Sequence, residues 1–295
     1  MASIIKLKEK RLYPGPVQII LASSDLAWME QNREEHLGVF ANRQMLTIKL
    51  EYLSFLDVVR IFQSLSVAEN VRIYGVIGGV PSYVSRWSGK WDFKTNVCRH
   101  ILSPYGYLHG EAERYLSLHL RELAVYETIL AAIAAGHRKL NDLYDLTGFS
   151  RAKISVYLRS LMEIDVIEKA ESFETGGVRN TQKGLYQIRD PLINFWFRFI
   201  YPHLSEVYML GAEKFYDRYI APEIETYMNR YFVQVCGEYL ALMSRVHKLP
   251  IELTKQGTWI GKQGTIDIVA QDAVRNTIVG CCNWSKPAMT AADIR

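Results

Sequence analysis

Two carboxylates in the last third of the chain, Glu238 and Asp267, are the candidates for metal-dependent chemistry. Glu238 lies in a predicted helix, and Asp267 is the one acid of a predicted strand at residues 266–269. A metal-dependent nuclease uses converging carboxylates to hold Mg²⁺, together with a lysine that orients water or stabilises charge. These two acids are therefore the first residues to consider for phosphodiester cleavage.

The residues that should complete such a site depart from what the chemistry needs. The next predicted strand supplies Cys281 and Asn283, where an acid and a lysine two residues apart are required. A thiol is a poor ligand for a hard cation, and Lys286 lies beyond the strand. We therefore predict a degenerate site with structural acids, no catalytic residue and no metal. Its four positions are Glu238, Asp267, Cys281 and Asn283.

A second group of residues is suited to contact with nucleic acid. The predicted helix that begins after Ser150 carries three cations before its first acid, Glu163. Its exposed face can meet phosphates and base edges, and a Gly-rich hairpin tip adds two further cations. The predicted DNA-binding residues are Arg151, Lys153, Tyr157, Arg159, Arg179 and Lys183.

The charge balance around this helix leaves an alternative open. Residues 121–190 hold ten Lys or Arg and ten Asp or Glu, so their net charge is zero. A strong non-specific DNA binder is more basic than this. The whole chain has a formal net charge of +4, which permits a nucleic-acid partner without requiring one. We favour DNA contact, and protein contact by the same helix is the alternative.

The sequence contains no loop that can wrap a triphosphate. Such a loop reads G-x-x-x-x-G-K-[ST], so that backbone N–H groups surround the phosphates and the lysine meets their charge. The two Gly-Lys pairs of the chain fail this pattern, because they are followed by Trp91 and Gln263. No apolar strand ends in paired acids either. We therefore expect neither ATP binding nor enzymatic activity from this chain alone.

The opening and closing segments predict α/β structure. Strands at residues 17–22 and 44–51 flank a predicted helix at 26–35, and helical spacing dominates after residue 55. At the other end of the chain, predicted strands follow a helix that includes Glu238. They lie at residues 251–253, 264–270 and 276–282.

The middle of the chain predicts a winged helix. Three helices are followed by a hairpin with a polar, Gly-rich tip, which is the order of elements in that fold. The helices lie at residues 122–135, 140–146 and 151–164, and the strands at 166–171 and 185–188. The inward face of the third helix carries Ile154, Tyr157, Leu158 and Leu161. A dense aromatic run at residues 195–201 is predicted to be core that joins two modules.

Composition favours a cytoplasmic globular protein. Of the 295 residues, 49% are hydrophobic and 22% are charged, which is ordinary for such a protein. No apolar run of 18 or more residues occurs, and the first residues lack the apolar core of a signal peptide. The four cysteines show no Cys-x-x-Cys spacing, so a reduced chain is expected.

Five segments together resemble a known family. They read ILASS at 20–24, IGGVPSY at 77–83, DPLINFWFRF at 190–199, IDIV at 266–269 and GCCNW at 280–284. In combination they resemble the archaeal-type AAA+/STAND ATPases, which also occur widely in bacteria and end in a C-terminal domain of unknown function. The resemblance extends over nearly the whole chain.

The resemblance implies roles for further residues. Ser23 or Ser24 would occupy the sensor position, where a polar side chain touches the γ-phosphate or the attacking water. Arg43 would match an arginine that acts on nucleotide phosphate, although the glycine of that motif is Asn42 here. ATP and Mg²⁺ are expected for the intact family, and no cofactor is expected for this chain alone. The C-terminal domain of the family resembles the PD-(D/E)XK nuclease fold, to which the four positions of the degenerate site align.

We therefore expect a multi-domain protein of mixed α/β and α class that lacks the P-loop half of the family. A remnant of a P-loop ATPase α/β core would occupy residues 1–53, and a helical lid 54–118. The winged helix would occupy 119–200, and an incomplete restriction-endonuclease-like α/β domain 201–295.

Three functions follow from this interpretation. The favoured one is a non-catalytic, DNA-associated or regulatory module that acts beside an intact ATPase. The second is an enzymatic part, either of an ATP-binding ATPase completed by a missing N-terminal half or of a weak metal-dependent nuclease. The third is a protein-interaction scaffold that self-associates through exposed apolar surface. The expected partners are DNA, an intact ATPase or a second copy, and no membrane is expected.

Overall fold

The computed structural model describes residues 50–175, 184–261 and 264–285, together with the single positions 20, 22, 46 and 48. The chain divides into two compact units, Met1–Glu51 and Tyr52–Arg295. The second unit is mixed α/β, mostly helical, and has two small antiparallel sheets. The predicted elements at 17–22, 26–35 and most of 44–51 lie outside the described residues, as does most of the predicted ATPase-core remnant at 1–53.

The first part of the second unit is helical, as its sequence predicts. Ser54 and Ser66 begin the first two helices, and each accepts a hydrogen bond from a backbone N–H three residues later. The helices are α1 (Phe55–Ile61), α2 (Val67–Ile77), α3 (Pro81–Val84), α4 (Phe93–Val97) and α5 (Glu111–His119). A π-helical turn, Cys98–Leu102, continues α4.

A buried asparagine organises the turn between α3 and α4. The Asn96 side chain donates hydrogen bonds to the carbonyl oxygens of Ser88, Trp91 and Asp92 at 3.0, 3.1 and 3.0 Å. Its own oxygen accepts a bond from the amide of Ser88 at 2.9 Å. Every polar atom of this fully buried side chain therefore has a partner, as burial of an amide requires.

Three helices and a hairpin follow, and we call residues 123–188 the helix–hairpin module. The module contains α6 (Leu123–Ala134), α7 (Leu140–Thr147), α8 (Arg151–Glu163), β1 (Ile167–Ala170) and β2 (Leu185–Ile188). The strands are antiparallel, and Ile167 lies opposite Ile188. The number, order and type of these elements match the sequence prediction, and the hairpin tip at 176–183 lies outside the described residues.

An aromatic segment connects this module to the rest of the unit. It consists of α9 (Pro191–Phe195), a π-helical turn (Trp196–Ile200) and a short 3₁₀ turn (Tyr201–His203). The side chains of Phe195, Trp196, Phe197 and Phe199 are buried. The prediction that this aromatic run is core is therefore confirmed.

The longest helix of the described part lies against α2. It is α12 (Ile224–Arg245), which follows α10 (Leu204–Leu210), α11 (Ala212–Phe215) and a π-helical turn (Tyr216–Ile220). α12 packs against α2, where a Cβ on Gly75 would lie 2.6 Å from the sulfur of Met228. None of the described helices combines the length and the apolar character needed to span a bilayer.

The second sheet has three antiparallel strands in the order β3–β4–β5. They are β3 (Lys255–Ile260), β4 (Thr265–Gln271) and β5 (Thr277–Gly280). The outer edge of β3 is covered by the 3₁₀ turn Phe173–Thr175, and the amide of Ile260 donates to the hydroxyl of Ser172 at 2.9 Å. The prediction of a strand at 251–253 is wrong. The amide of Leu253 donates to the Ser244 hydroxyl at 2.9 Å, which ties this segment to α12 instead of to a neighbouring strand.

Candidate functional site

The basic edge of α8 is built on a regular amphipathic helix. The Ser150 side chain accepts a hydrogen bond from the Lys153 amide at 3.2 Å and so fixes the start of the helix. On the inward face, Ile154, Leu158 and Leu161 are completely buried, as predicted, and Tyr157, the fourth residue predicted for that face, is half-buried. Because burial fixes the rotation of the helix, the opposite face, at residues 152, 156, 159 and 163, is exposed, and Arg151 lies at its edge.

Arg151 is held at the start of α8 by the preceding helix. Its guanidinium lies over the ring of Tyr144 at 4.3 Å from the ring centre. Its Nε donates a hydrogen bond to the side-chain oxygen of Asn141 at 3.2 Å. These two contacts restrict a long, exposed side chain without neutralising its charge. Arg151 is thus positioned in advance for an anionic partner.

Lys153 and Arg159 present the other two cations of α8. The ammonium of Lys153 lies 4.5 Å from the centre of the Phe149 ring and 5.8 Å from that of Tyr157. Arg159 is exposed and makes no hydrogen bond or ion pair with any residue that the structure describes. The first two cations are therefore held on aromatic rings, whereas the third extends from the helix surface.

Tyr157 is engaged within the module. Its hydroxyl donates a hydrogen bond to the Glu122 carboxylate at 2.9 Å, and its ring centre lies 4.5 Å from that of Tyr126. The bond to Glu122 raises the pKa of the Tyr157 hydroxyl. The ring rather than the hydroxyl is therefore available to a partner. The predicted wing residues Arg179 and Lys183 lie outside the described part of the chain, and so do Ser23, Ser24 and Arg43.

The Glu238 carboxylate is bonded to α1 and α2. One oxygen accepts the backbone amide of Phe55 at 2.9 Å, and the other accepts the hydroxyl of Tyr74 at 3.0 Å. The amide of Gln234 lies 3.3 Å from the second oxygen. These bonds occupy both oxygens and join α12 to α1 and α2. In the structure Glu238 thus joins three helices.

The other three positions of the degenerate site are also bonded locally. Asp267 on β4 accepts the backbone amide of Cys282 at 2.8 Å, which joins β4 to the segment after β5. Asn283 accepts the amide of Ser285 at 3.0 Å, and the Cys281 thiol is exposed and free. Within residues 50–175, 184–261 and 264–285, no three His, Cys, Asp or Glu side chains come close enough to hold a metal ion.

The structure also brings together residues that the sequence did not single out. Arg138 and Arg230 both contact β2 beside a cavity. Cys236 on α12 and Cys282 after β5 are neighbours, and the hydrogen bond between their thiols lowers the pKa of Cys236. In each pair the partners are far apart in the sequence. No local motif signals such contacts.

Comparison with known proteins gives a match for the C-terminal part of the chain. Residues 196–294 match the model of the DUF234 family, described as archaeal and bacterial proteins of unknown function. The resemblance inferred from sequence is therefore confirmed for a C-terminal domain of this kind. The matched segment contains α12 and the three-stranded sheet, including all four positions of the degenerate site.

The chain is also similar to a curated archaeal protein. An uncharacterized protein of Methanocaldococcus jannaschii is 28% identical over 255 residues. The alignment covers 86% of this chain and 56% of that protein, so the chain spans little more than half the length of its relative. No solved structure shows significant similarity. The comparisons thus show a DUF234 domain at residues 196–294 and distant similarity of most of the chain to this archaeal protein.

Proposed function

We propose that this chain is a non-catalytic, DNA-associated regulatory module of an ATPase-like protein, in which residues 119–200 act as a winged helix. The observation that carries the proposal is the geometry of α8. Arg151, Lys153 and Arg159 are exposed on a helix whose other face is completely buried. Two of these cations are held on aromatic rings, so little side-chain freedom is lost when they meet phosphates.

The test is a salt titration of DNA binding. Fluorescence anisotropy with a labelled duplex would compare the whole chain with a variant carrying Arg151→Ala, Lys153→Ala and Arg159→Ala. The logarithm of the binding constant falls with the logarithm of salt by about 0.9 for each phosphate neutralised. We expect the triple variant to bind more weakly and to lose up to about three units of this slope.

A matched control removes the same charge elsewhere. Arg245, Lys248 and Arg275 are exposed and lie outside the helix–hairpin module, and their joint replacement by Ala also changes the net charge by three. We expect this variant to keep most of the affinity. Absence of binding by the unaltered chain at low salt, or an equal loss in both triple variants, would contradict the proposal.

The link to an ATPase rests on the family resemblance, supported by the DUF234 match at residues 196–294. In this proposal the intact ATPase supplies ATP and Mg²⁺ binding, and the chain contributes the regulatory module. The absence of a G-x-x-x-x-G-K-[ST] loop from the sequence supports a non-catalytic role. Calorimetry that detected ATP binding by this chain at micromolar strength would contradict this part.

A protein-interaction scaffold is the second candidate, and apolar exposure on the same module favours it. Leu146 at the end of α7 is 55% exposed, and Val156 on α8 is 59% exposed. An apolar surface beside a net charge of zero suits a protein partner better than a phosphate backbone. If this function is the true one, Val156→Glu abolishes partner capture or self-association, and the triple α8 variant leaves it intact.

A further inference from the structure

A cavity of about 210 Å³ lies where the helix–hairpin module meets α9 and the start of α12. The end of α6 and strand β2 form one side, and α9, its π-helical continuation and α12 form the other. The polar side chains that matter for its chemistry are Arg138, Gln187, Asn194, Arg198, Glu223 and Arg230. We call it the arginine cavity. It does not include any residue of the proposed DNA-contacting helix.

Two of the arginines are fixed against β2. The Nε of Arg138 donates to the carbonyl oxygen of Tyr186 at 3.3 Å, and another of its nitrogens donates to the side-chain oxygen of Gln187. Arg230, from α12, donates to the carbonyl oxygen of Ile188. Both guanidinium groups thus donate hydrogen bonds to consecutive residues of β2, at positions 186–188. The two cations are held in place rather than free to move into solvent.

The positive charge of this pair has no directly bonded counter-ion. Within the part of the chain that the structure describes, neither Arg138 nor Arg230 forms an ion pair with a carboxylate. Glu168 acts on Arg138 only through its charge, because its carboxylate is bonded to the Gln187 side chain and not to the arginine. Burial, and then the charge of Arg230, lower the pKa of Arg138 to about 10. Holding two such cations together therefore costs free energy that an anion would recover.

The remaining charged groups of the cavity do not cancel this charge. Arg198 is paired with Glu223 at the cavity wall, and both side chains are partly exposed. The lining therefore contains three arginines and one carboxylate, a net charge of +2. Guanidinium groups that present N–H donors in a fixed orientation match the oxygens of phosphate and carboxylate groups, and the more highly charged phosphate balances the +2 of the lining better than a carboxylate does.

We propose that the arginine cavity binds a small phosphate-bearing anion, with Arg138 and Arg230 as its principal contacts. Its volume suits a phosphate or diphosphate group and is below the range of about 300–1,000 Å³ that encloses larger ligands. The amide of Gln187 and the hydroxyl of Thr226, which also line the cavity, add neutral donors. A ligand with a larger body would have to place only its phosphate end here.

Such an anion would connect two parts of the molecule. Arg138 lies between α6 and α7 of the helix–hairpin module, whereas Arg230 lies in α12 within the DUF234 match. A ligand held by both would stabilise the packing of the module against α12 by mass action. This inference does not depend on DNA binding, because the cavity and α8 share no residue.

Calorimetry of the full chain with inorganic pyrophosphate tests the inference directly. Inorganic phosphate, sulfate and acetate would be measured at the same ionic strength. We expect binding of pyrophosphate and phosphate, weaker binding of sulfate and none of acetate. We expect Arg230→Gln to weaken pyrophosphate binding by about 10- to 100-fold, since it removes a charged donor. Arg218→Gln is the control, because Arg218 is exposed and lies outside this cavity.

A second measurement uses the unaltered chain, so that the inference can be tested even if the Arg230→Gln variant does not fold. Phenylglyoxal modifies arginines, and mass spectrometry locates the modified positions. We expect pyrophosphate to protect Arg138 and Arg230 and to leave exposed Arg245 and Arg275 reactive. Absence of pyrophosphate binding at millimolar concentration, equal protection of all four arginines, or full affinity in Arg230→Gln would overturn the inference. So would displacement of pyrophosphate by a short DNA duplex.

Discussion

The hydroxyl of Tyr74 donates a hydrogen bond to the carboxylate of Glu238 at 3.0 Å, across 164 residues of sequence. The same carboxylate accepts the backbone amide of Phe55 at 2.9 Å. Glu238, which suggested metal-dependent chemistry in the sequence, thus joins α12 to α1 and α2. Its bonding leaves little capacity for a cation, because both oxygens already have donors.

Replacement of Glu238 is therefore expected to affect stability. Glu238→Ala leaves the Phe55 amide and the Tyr74 hydroxyl without their acceptor, and we expect it to lower the free energy of unfolding by about 1–3 kcal/mol. Urea denaturation measures this change, and exposed Glu252→Ala is the control. Unchanged stability combined with loss of a Mg²⁺-dependent activity would show instead that Glu238 serves a metal site.

Asn96 gives a prediction for the turn between α3 and α4. Asn96→Ala leaves the carbonyl oxygens of Ser88, Trp91 and Asp92 without the donor that they share in the folded chain. We expect a loss of about 1–3 kcal/mol in the free energy of unfolding. Asn276→Ala removes one exposed side-chain hydrogen bond, to Asp272 at 2.7 Å, and should cost less than about 1 kcal/mol. Equal effects of the two substitutions would contradict the role given to Asn96.

Buried tyrosines predict sensitivity to alkali. Burial raises the pKa of Tyr115 and of Tyr216 to about 12, and burial also raises that of Tyr227. An unfolded tyrosine loses its proton near pH 10, so the folded state binds more protons between about pH 10 and 12. This contribution to stability is complete below about pH 10 and is lost as the pH rises through the folded-state values. Urea titrations across this range, with phenolate absorbance as a second signal, should show stability falling with pH; a flat profile would contradict it.

The cysteines should differ in reactivity. Cys281 is exposed, whereas Cys98 is buried and burial raises its pKa to about 11. Because the thiolate is the reactive form, we expect an alkylating reagent to label Cys281 well before Cys98. Mass spectrometry after brief exposure would show the order, and denatured protein should lose the difference. Rapid labelling of Cys98 in the folded chain would contradict its burial.

The sequence predicted correctly those helices whose ends and buried faces depend on residues close together in the chain. The Ser150 cap and the spacing of Ile154, Leu158 and Leu161 were sufficient to place α8 and its buried face, because both depend on residues within a few turns. The strand predicted at 251–253 is wrong because its apolar spacing says nothing about the helix that precedes it. The Ser244 hydroxyl at the end of α12, nine residues earlier, takes the Leu253 amide.

Of the two candidate sites, the sequence predicted one and missed the other. The cations of α8 are visible in the sequence because they follow one another along one helix. The arginine cavity is not, since Arg230 meets the carbonyl of Ile188 across 42 residues and Arg138 meets that of Tyr186 across 48. Ordinary arginines in the sequence become a site only when packing places them beside each other.

The covered edge of β3 limits how the second sheet can grow. The Ile260 amide is bonded to Ser172 and the turn at Phe173 contacts the strand, so within the described residues this part of the β3 edge is not free to pair with an incoming strand. β5, four residues long, is the other outer strand. An incoming strand could pair along the whole of β3 only if it first displaced the turn at Phe173.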